Sequence, residues 1–206
     1  MDAKHVRTMS ATNFFDGEHF EKSTLTMKRR VDAHVNALPA NFAVQASQKT
    51  RLISRMNAAP RVKLSKIFAL VDEYAELRKP FVACAEECDS CCHMNVQITN
   101  VEAERIEKST GKKAKFLRAD TCHPVTKFAG VPCPFLVNRR CSIYEDRPLL
   151  CRSHASFDVD SYWCAPERMN AAELPMISIT DAQVAVSEIA HESAARRFAD
   201  IRDFFG

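Results

Sequence analysis

The sequence predicts a mainly α-helical fold with a loop-rich, metal-stapled cysteine region that contains a short β-hairpin. Three observations lead there. Apolar residues recur at steps of three or four over residues 62–78 and again over 180–205, the spacing of one helix face. Between these stretches the apolar period fades. Within that interval all nine cysteines fall between Cys84 and Cys164, eight of them in the set considered below, and metal binding can supply the folding free energy that a small core cannot.

At 206 residues the chain can bury one core. It divides into N-terminal helices over 1–80, the cysteine region over 81–170, and a C-terminal helix over 171–206 that packs back on the N-terminal helices, all in one compact unit. The formal net charge of +3 is spread among mixed acidic and basic residues, so nucleic acid is not indicated as a partner. The start, Met1-Asp2-Ala3-Lys4-His5, is polar, and the longest apolar run, Ile67 to Val71, is too short to span a bilayer or to form a signal core. The expectation is a cytoplasmic protein with no membrane role. Thiols stay reduced in that compartment and nine is an odd count, which favours metal ligation over a disulfide framework or inert buried thiols.

The elements follow in order. Residues 1–20 show no period, and Phe14, Phe15 and Phe20 need a surface to cover them. Helix formers run from Glu21 to Leu38, where Pro39 breaks them; the basic group Lys28-Arg29-Arg30 reads as a solvated face. A second helix spans about Ala40 to Ala58 and a third about Val62 to Arg78, each ending before a proline. In the third, Leu64, Ile67, Phe68, Val71, Tyr74 and Leu77 share the core face, while Lys63, Lys66, Asp72 and Glu76 lie off it. Val96-Gln97-Ile98 reads as a strand, and Thr99-Asn100-Val101-Glu102 as a capping box opening a helix that Gly111 ends. Lys112 to Val131 is a polar surface loop holding Cys122-His123. Phe135–Val137 and Ser142–Tyr144 form a hairpin through Asn138-Arg139, which sets Cys133 and Cys141 at one end. A capping box at Thr180-Asp181-Ala182-Gln183 starts a last helix, whose face carries Val186, Ala190, Ala194, Phe198, Ile201 and Phe205.

The cysteines carry the chemistry. Cys84, Cys88, Cys91 and Cys92 fall within nine residues, and the two-residue gap between Cys88 and Cys91 lets a tight turn aim two sulfurs at one ion. Neighbouring residues of extended chain point to opposite sides, so Cys91 and Cys92 suit two metals or two irons of one cluster. Farther on stand Pro132-Cys133-Pro134-Phe135-Leu136 and Cys141-Ser142-Ile143-Tyr144-Glu145-Asp146-Arg147-Pro148-Leu149-Leu150-Cys151-Arg152, then Cys164. With the opening group, these residues resemble the YkgJ-type cysteine-cluster family, described as zinc- or iron-chelating, whose signature is shared with flagellin lysine-N-methylases. The resemblance covers Cys84 to Cys164 and implies a metal held by eight cysteines: Cys84, Cys88, Cys91, Cys92, Cys133, Cys141, Cys151 and Cys164. Cys122 lies outside this set of eight.

The irregular gaps and the Cys133-Pro134 pair favour an iron-sulfur cluster, with zinc as the alternative. Cys84, Cys88 and Cys91 also have the gaps of radical adenosylmethionine enzymes, but the chain lacks their strand-helix series and their other cysteines would stay unexplained. Arg139, Arg140, Arg147 and Arg152 stand ready to offset thiolate charge, and Arg147 to bond ligand sulfurs or Glu145. Tyr144 reads as buried and Glu145 as paired with Arg147 or Arg152; His93, His123 and His154 are reserve ligands. The reading is a structural or binding module, open to a protein partner. The alternatives are an iron-sulfur redox or electron-transfer protein and an enzyme or accessory related to protein lysine methylation. No glycine-rich adenosylmethionine turn is visible, and no catalytic residue is assigned.

Overall fold

The computed structural model describes residues 17–85, 87–168, 179–193 and 197–206. Among them the fold is mainly helical, as the periodicity predicts, with two small sheets of two strands each. Three long helices open it: α1 (Gly17–Ala37), α2 (Phe42–Arg55) and α3 (Pro60–Arg78). Proline at the first position of α3 costs no hydrogen bond, because the first amides of a helix have no partner within it. Leu64, Ile67, Phe68 and Val71 of α3 bury against Ala185, Val186, Ile189 and Ala190 of α6 (Thr180–His191). Lys28 and Arg29 of the basic group are exposed, whereas Arg30 donates to the Asp158 carbonyl. Phe20 packs beside Met27, Phe157 and Trp163; Phe14 and Phe15 lie outside the described residues.

Two positions on α3 depart from expectation. Leu77 is 40% exposed, at the edge of the stripe. Lys63 is buried, because its stem lies along the apolar face while Nζ reaches the Ser54 carbonyl at 3.0 Å and Glu192 at 2.7 Å.

The segment after the first cysteines folds as its capping signals predict. Strand β1 (Gln97–Thr99) leads into α4 (Asn100–Thr110), where the Thr99 and Glu102 side chains cap each other's amides, and Gly111 closes the helix at φ +72°. Glu102 does more. Its Oε2 accepts the Thr99 amide and hydroxyl, while Oε1 accepts the Leu149 amide at 2.9 Å, which joins α4 to α5 (Leu149–Ser153). The hairpin forms through Asn138 and Arg139, both with positive φ, but its strands are β2 (Leu136–Val137) and β3 (Arg140–Cys141). Residues 142–144 leave the ladder after one more bond, Ser142 N–H to the Phe135 carbonyl, and turn into a 3₁₀ helix at Tyr144–Asp146.

The tail is where the periodic reading fails. Helix α6 begins at Thr180 with Ile179 before it, and the Ala182 and Gln183 amides bond the Ile179 carbonyl, so Thr180 is not the cap. The helix ends at His191 instead of running to Phe205. Phe198–Asp200 is strand β4, antiparallel to β1 with Ile98 opposite Ala199, and Ile201–Phe205 is helix α7. Ala194 lies outside the described residues. Ile201 and Phe205 still join one apolar cluster, but on the strand it is Ala199, not Phe198, that faces it. Asp200 caps α7: its Oδ1 accepts the Arg202 amide, and its Oδ2 accepts the Val96 amide at 2.6 Å. No helix among the described residues is long and apolar enough to cross a membrane.

Arg202 closes this unit. Its guanidinium donates to the carbonyls of Cys92, Met94, Val131 and Pro132 and pairs with Asp200 at 3.1 Å, with both residues buried. Removing one member of a buried pair leaves the other charge uncompensated, a loss of about 3–5 kcal/mol. Arg202→Met is therefore expected to destabilise the protein on that scale. Urea unfolding of the two proteins checks it, and an unchanged midpoint contradicts the clamp.

Candidate metal centre

All nine cysteines are free thiols, and the eight of the predicted set come from four stretches of chain. Cys91 and Cys92 sit on a 3₁₀ turn, Ser90–His93, and not on extended chain. Their sulfurs are hydrogen-bonded to each other, so the expectation that they face opposite sides does not hold. Cys91 keeps its proton and donates it, which raises its own pKa and lowers that of Cys92.

From this pair the thiols extend in two directions. On one side the Cys133 amide bonds the Cys92 carbonyl at 2.8 Å and the Gly130 amide bonds that of His93 at 3.0 Å, so the two segments run together. Cys133, Cys141 and Cys151 pack on one apolar cluster formed by Ile98, Ile106, Phe135, Ile143 and Phe205. The Phe135 amide bonds the Cys133 sulfur and the Ile143 amide bonds that of Cys141, each two residues ahead of its cysteine. An amide aimed at sulfur favours the thiolate. Burial outweighs it, pushing Cys133 up to about 11 and raising Cys141 and, far more, Cys151, whose neighbours Cys133, Cys141 and Cys92 add to the effect.

On the other side the Ala83 amide bonds the Ser156 carbonyl at 2.8 Å, and the Ser156 hydroxyl bonds the sulfur of Cys164. Cys84 and Cys164 thus flank one residue. Burial pushes Cys164 up to about 11, and charge on Cys84 and Cys88 adds to it. Cys91 responds to Cys92, Cys151 and Cys84, and so stands where the two sides meet.

Arg78, Arg147 and Arg152 hold loop carbonyls. Arg152 is buried; it bonds the Arg147 carbonyl at 2.8 Å, the Glu145 carbonyl and Asp72. Arg78 bonds the carbonyls of Arg152 and Ser153. Arg147, expected to bond sulfur or Glu145, instead donates to the Tyr144 carbonyl at 2.7 Å and to Asp72, with its guanidinium over the Tyr144 ring. Tyr144 is exposed, not buried, because the 3₁₀ turn rotates it outward. Arg139 and Arg140 reach back from the hairpin to Asp89 and Glu87, which ties β2 and β3 to the first cysteine turn.

The three histidines separate. His123 Nε2 pairs with Asp203 at 2.9 Å, and His93 Nδ1 lies 3.1 Å from the Asp89 carbonyl. His154 differs: its Nε2 is buried with no hydrogen-bond partner, burial holds it neutral, and it lines a cavity of about 380 Å³ with Cys91 and Cys151. A neutral imidazole with an unpartnered ring nitrogen in the same cavity as two thiols can serve as a ligand in the tautomer that leaves Nε2 unprotonated. Cys122 is exposed in the 112–131 loop, between Thr121, whose amide donates to the Phe198 carbonyl, and His123, which pairs with Asp203.

The donor set suits a thiophilic metal in kind. In spacing it is open. One tetrahedral ion with Zn–S bonds of about 2.3 Å draws its sulfurs to about 3.8 Å of one another. Among the described residues no three cysteine sulfurs lie within 4.8 Å of each other. A single ion therefore requires the loops to close around it, whereas a centre of several metal atoms, each taking its own sulfurs, requires less.

The fold and these side chains define a helical protein with a cysteine-rich, metal-chelating module. Residues 83–170 match the CxxCxxCC family model, described as a putative zinc- or iron-chelating domain, which supports the cysteine-cluster resemblance over that segment. No curated protein and no solved structure matches the chain.

Because buried thiols such as Cys133 and Cys164 titrate near 11, they are protonated at neutral pH and must release protons to a metal. Apparent metal affinity is expected to rise with pH between 6.5 and 7.5 by about tenfold for each thiol displaced. Competition against a chelator whose own pH dependence is known checks this; an affinity independent of pH contradicts thiol ligation.

Proposed function

We propose that the cysteine region holds metal in two four-thiolate groups that meet at Cys91 and Cys92, and that the metal staples this segment as a structural or binding module. One group is Cys92, Cys133, Cys141 and Cys151; the other is Cys84, Cys88, Cys91 and Cys164. The observation that carries the reading is the branching of the thiols from one 3₁₀ turn toward the hairpin and α5 on one side and toward Ser156 on the other. Zinc or iron held there supplies cross-links between stretches of chain far apart in sequence, and that binding energy is also folding energy. With every thiol engaged the centre is closed, which suits a staple better than a catalyst.

The residues do the positioning. The Phe135 and Ile143 amides favour thiolate at Cys133 and Cys141, Arg202 fixes the carbonyls behind Cys92 and Cys133, and Arg152 with Arg78 fixes the helix of Cys151. His154 stands as a ninth donor beside Cys91 and Cys151. That no three cysteine sulfurs among the described residues lie within 4.8 Å of one another favours an iron-sulfur cluster over zinc, and with it the second reading, a redox or electron-transfer protein.

Anaerobic purification with iron, zinc and sulfide analysis and an absorption spectrum decides between the metals. A brown protein with iron and sulfide in equal amounts supports clusters; zinc alone supports the staple. For the grouping, Cys133→Ser and Cys164→Ser are each expected to lose about half of the metal, and Cys122→Ser none. Complete loss from either of the first two indicates one shared centre. Metal removal is also expected to expose residues 112–164 to proteases sooner than α3 or α6. Equal protection across the chain contradicts the staple.

A further inference from the structure

A second group of donors lies outside the thiols. His19 on the first turn of α1 and Asp158 and Asp160 in the following loop of the cysteine region place one nitrogen and two carboxylate oxygens within 4.8 Å of one another. We infer that His19, Asp158 and Asp160 form a site for a first-row divalent cation, separate from the cysteines and independent of the function proposed for them.

Asp158 carries the argument. It is 2% exposed, and a carboxylate so buried needs compensation. Its Oδ1 accepts the Val159 amide at 2.7 Å, but Oδ2 is buried with no hydrogen-bond partner. Arg30, the nearest cation bonded to this residue, goes to its backbone carbonyl. A metal ion would supply the missing partner. Asp160 is exposed, so the site opens to solvent; its Oδ1 accepts the Tyr162 amide at 2.9 Å, which fixes the carboxylate's direction. The His19 ring lies against Tyr162 at 4.0 Å and meets Trp163 edge-on at 5.9 Å, so the imidazole is braced by aromatic contacts on this side.

The donor types name the cation. Two carboxylates and one imidazole suit Mn²⁺, Fe²⁺ or Zn²⁺, while calcium and magnesium take oxygen alone and copper(I) prefers sulfur. Donors at 4.8 Å or less need only a small inward movement to bind at about 2.0–2.2 Å. Because His19 comes from α1 and the two aspartates from the cysteine region, the ion would cross-link them.

Mn²⁺ is the suitable probe, since it binds carboxylate and imidazole but competes poorly for thiolates. It is paramagnetic, and Trp163, the only tryptophan, lies beside His19. Titration of the protein as purified, with its own metal content measured in parallel, is expected to give saturable quenching of Trp163 fluorescence and one bound Mn²⁺ by electron paramagnetic resonance, both reversed by chelation. Asp160→Asn and His19→Phe, which keeps a ring against Tyr162, should each weaken binding by about tenfold or more, as should Asp158→Asn if it folds. The variants' cysteine-bound metal should be unchanged. No saturable binding up to about 1 mM Mn²⁺, or binding unaffected by Asp160→Asn and His19→Phe, overturns the site.

Discussion

The cysteine loops depend on one guanidinium. Segments such as 92–94 and 131–133 contribute little to ladders or helices, so their carbonyls need partners from side chains. Arg202 provides them: one planar group with five donors collects the carbonyls of Cys92, Met94, Val131 and Pro132, while Asp200 balances its charge. The C-terminal turn is thereby built into the cysteine region. β4 pairs with β1, α7 adds Ile201, Phe204 and Phe205 to the apolar cluster, and the thiols of Cys133, Cys141 and Cys151 rest on that cluster.

The same solution recurs elsewhere. Arg152 and Arg78 hold the carbonyls around α5, and Glu102 accepts the first amide of that helix while capping its own. Arginine forks and a buried carboxylate thus replace the regular ladders that a loop-rich segment lacks. The Phe135 and Ile143 amides and the Ser156 hydroxyl are directed at sulfur, and Cys91 and Cys92 bond each other. The consequence is a set of mostly half-buried thiols whose thiolate charge a metal would neutralise.

Several local signals are legible in the sequence, although the box at Thr180–Gln183 is not a cap. The capping box at Thr99–Glu102, the stop at Gly111, the turn at Asn138-Arg139 and the core stripe of α3 follow from neighbouring residues, and the structure has each of them. The cysteine spacing also pointed to the family that residues 83–170 match. What the sequence hid is nonlocal. Nothing near Arg202 reveals that its targets lie about seventy and more than one hundred residues upstream. A three-to-four spacing cannot separate one long helix from a strand followed by a capped turn, so the pattern over 180–205 does not reveal β4 and α7. Arg147 and Arg152 look alike in sequence, and only packing against α3 sends Arg152 inward to Asp72 and two carbonyls while Arg147 lies over the ring of an exposed tyrosine. Asp200 before Asp203 was a readable cap, and it would have marked the start of α7.

The central claim is that the thiols form two groups joined at Cys91 and Cys92. Anomalous diffraction at the absorption edge of the metal present locates every metal atom directly. The account predicts two separate peaks or clusters of peaks, one ringed by Cys92, Cys133, Cys141 and Cys151 and the other by Cys84, Cys88, Cys91 and Cys164. A single centre drawing on both sets, or one that includes Cys122, would contradict it.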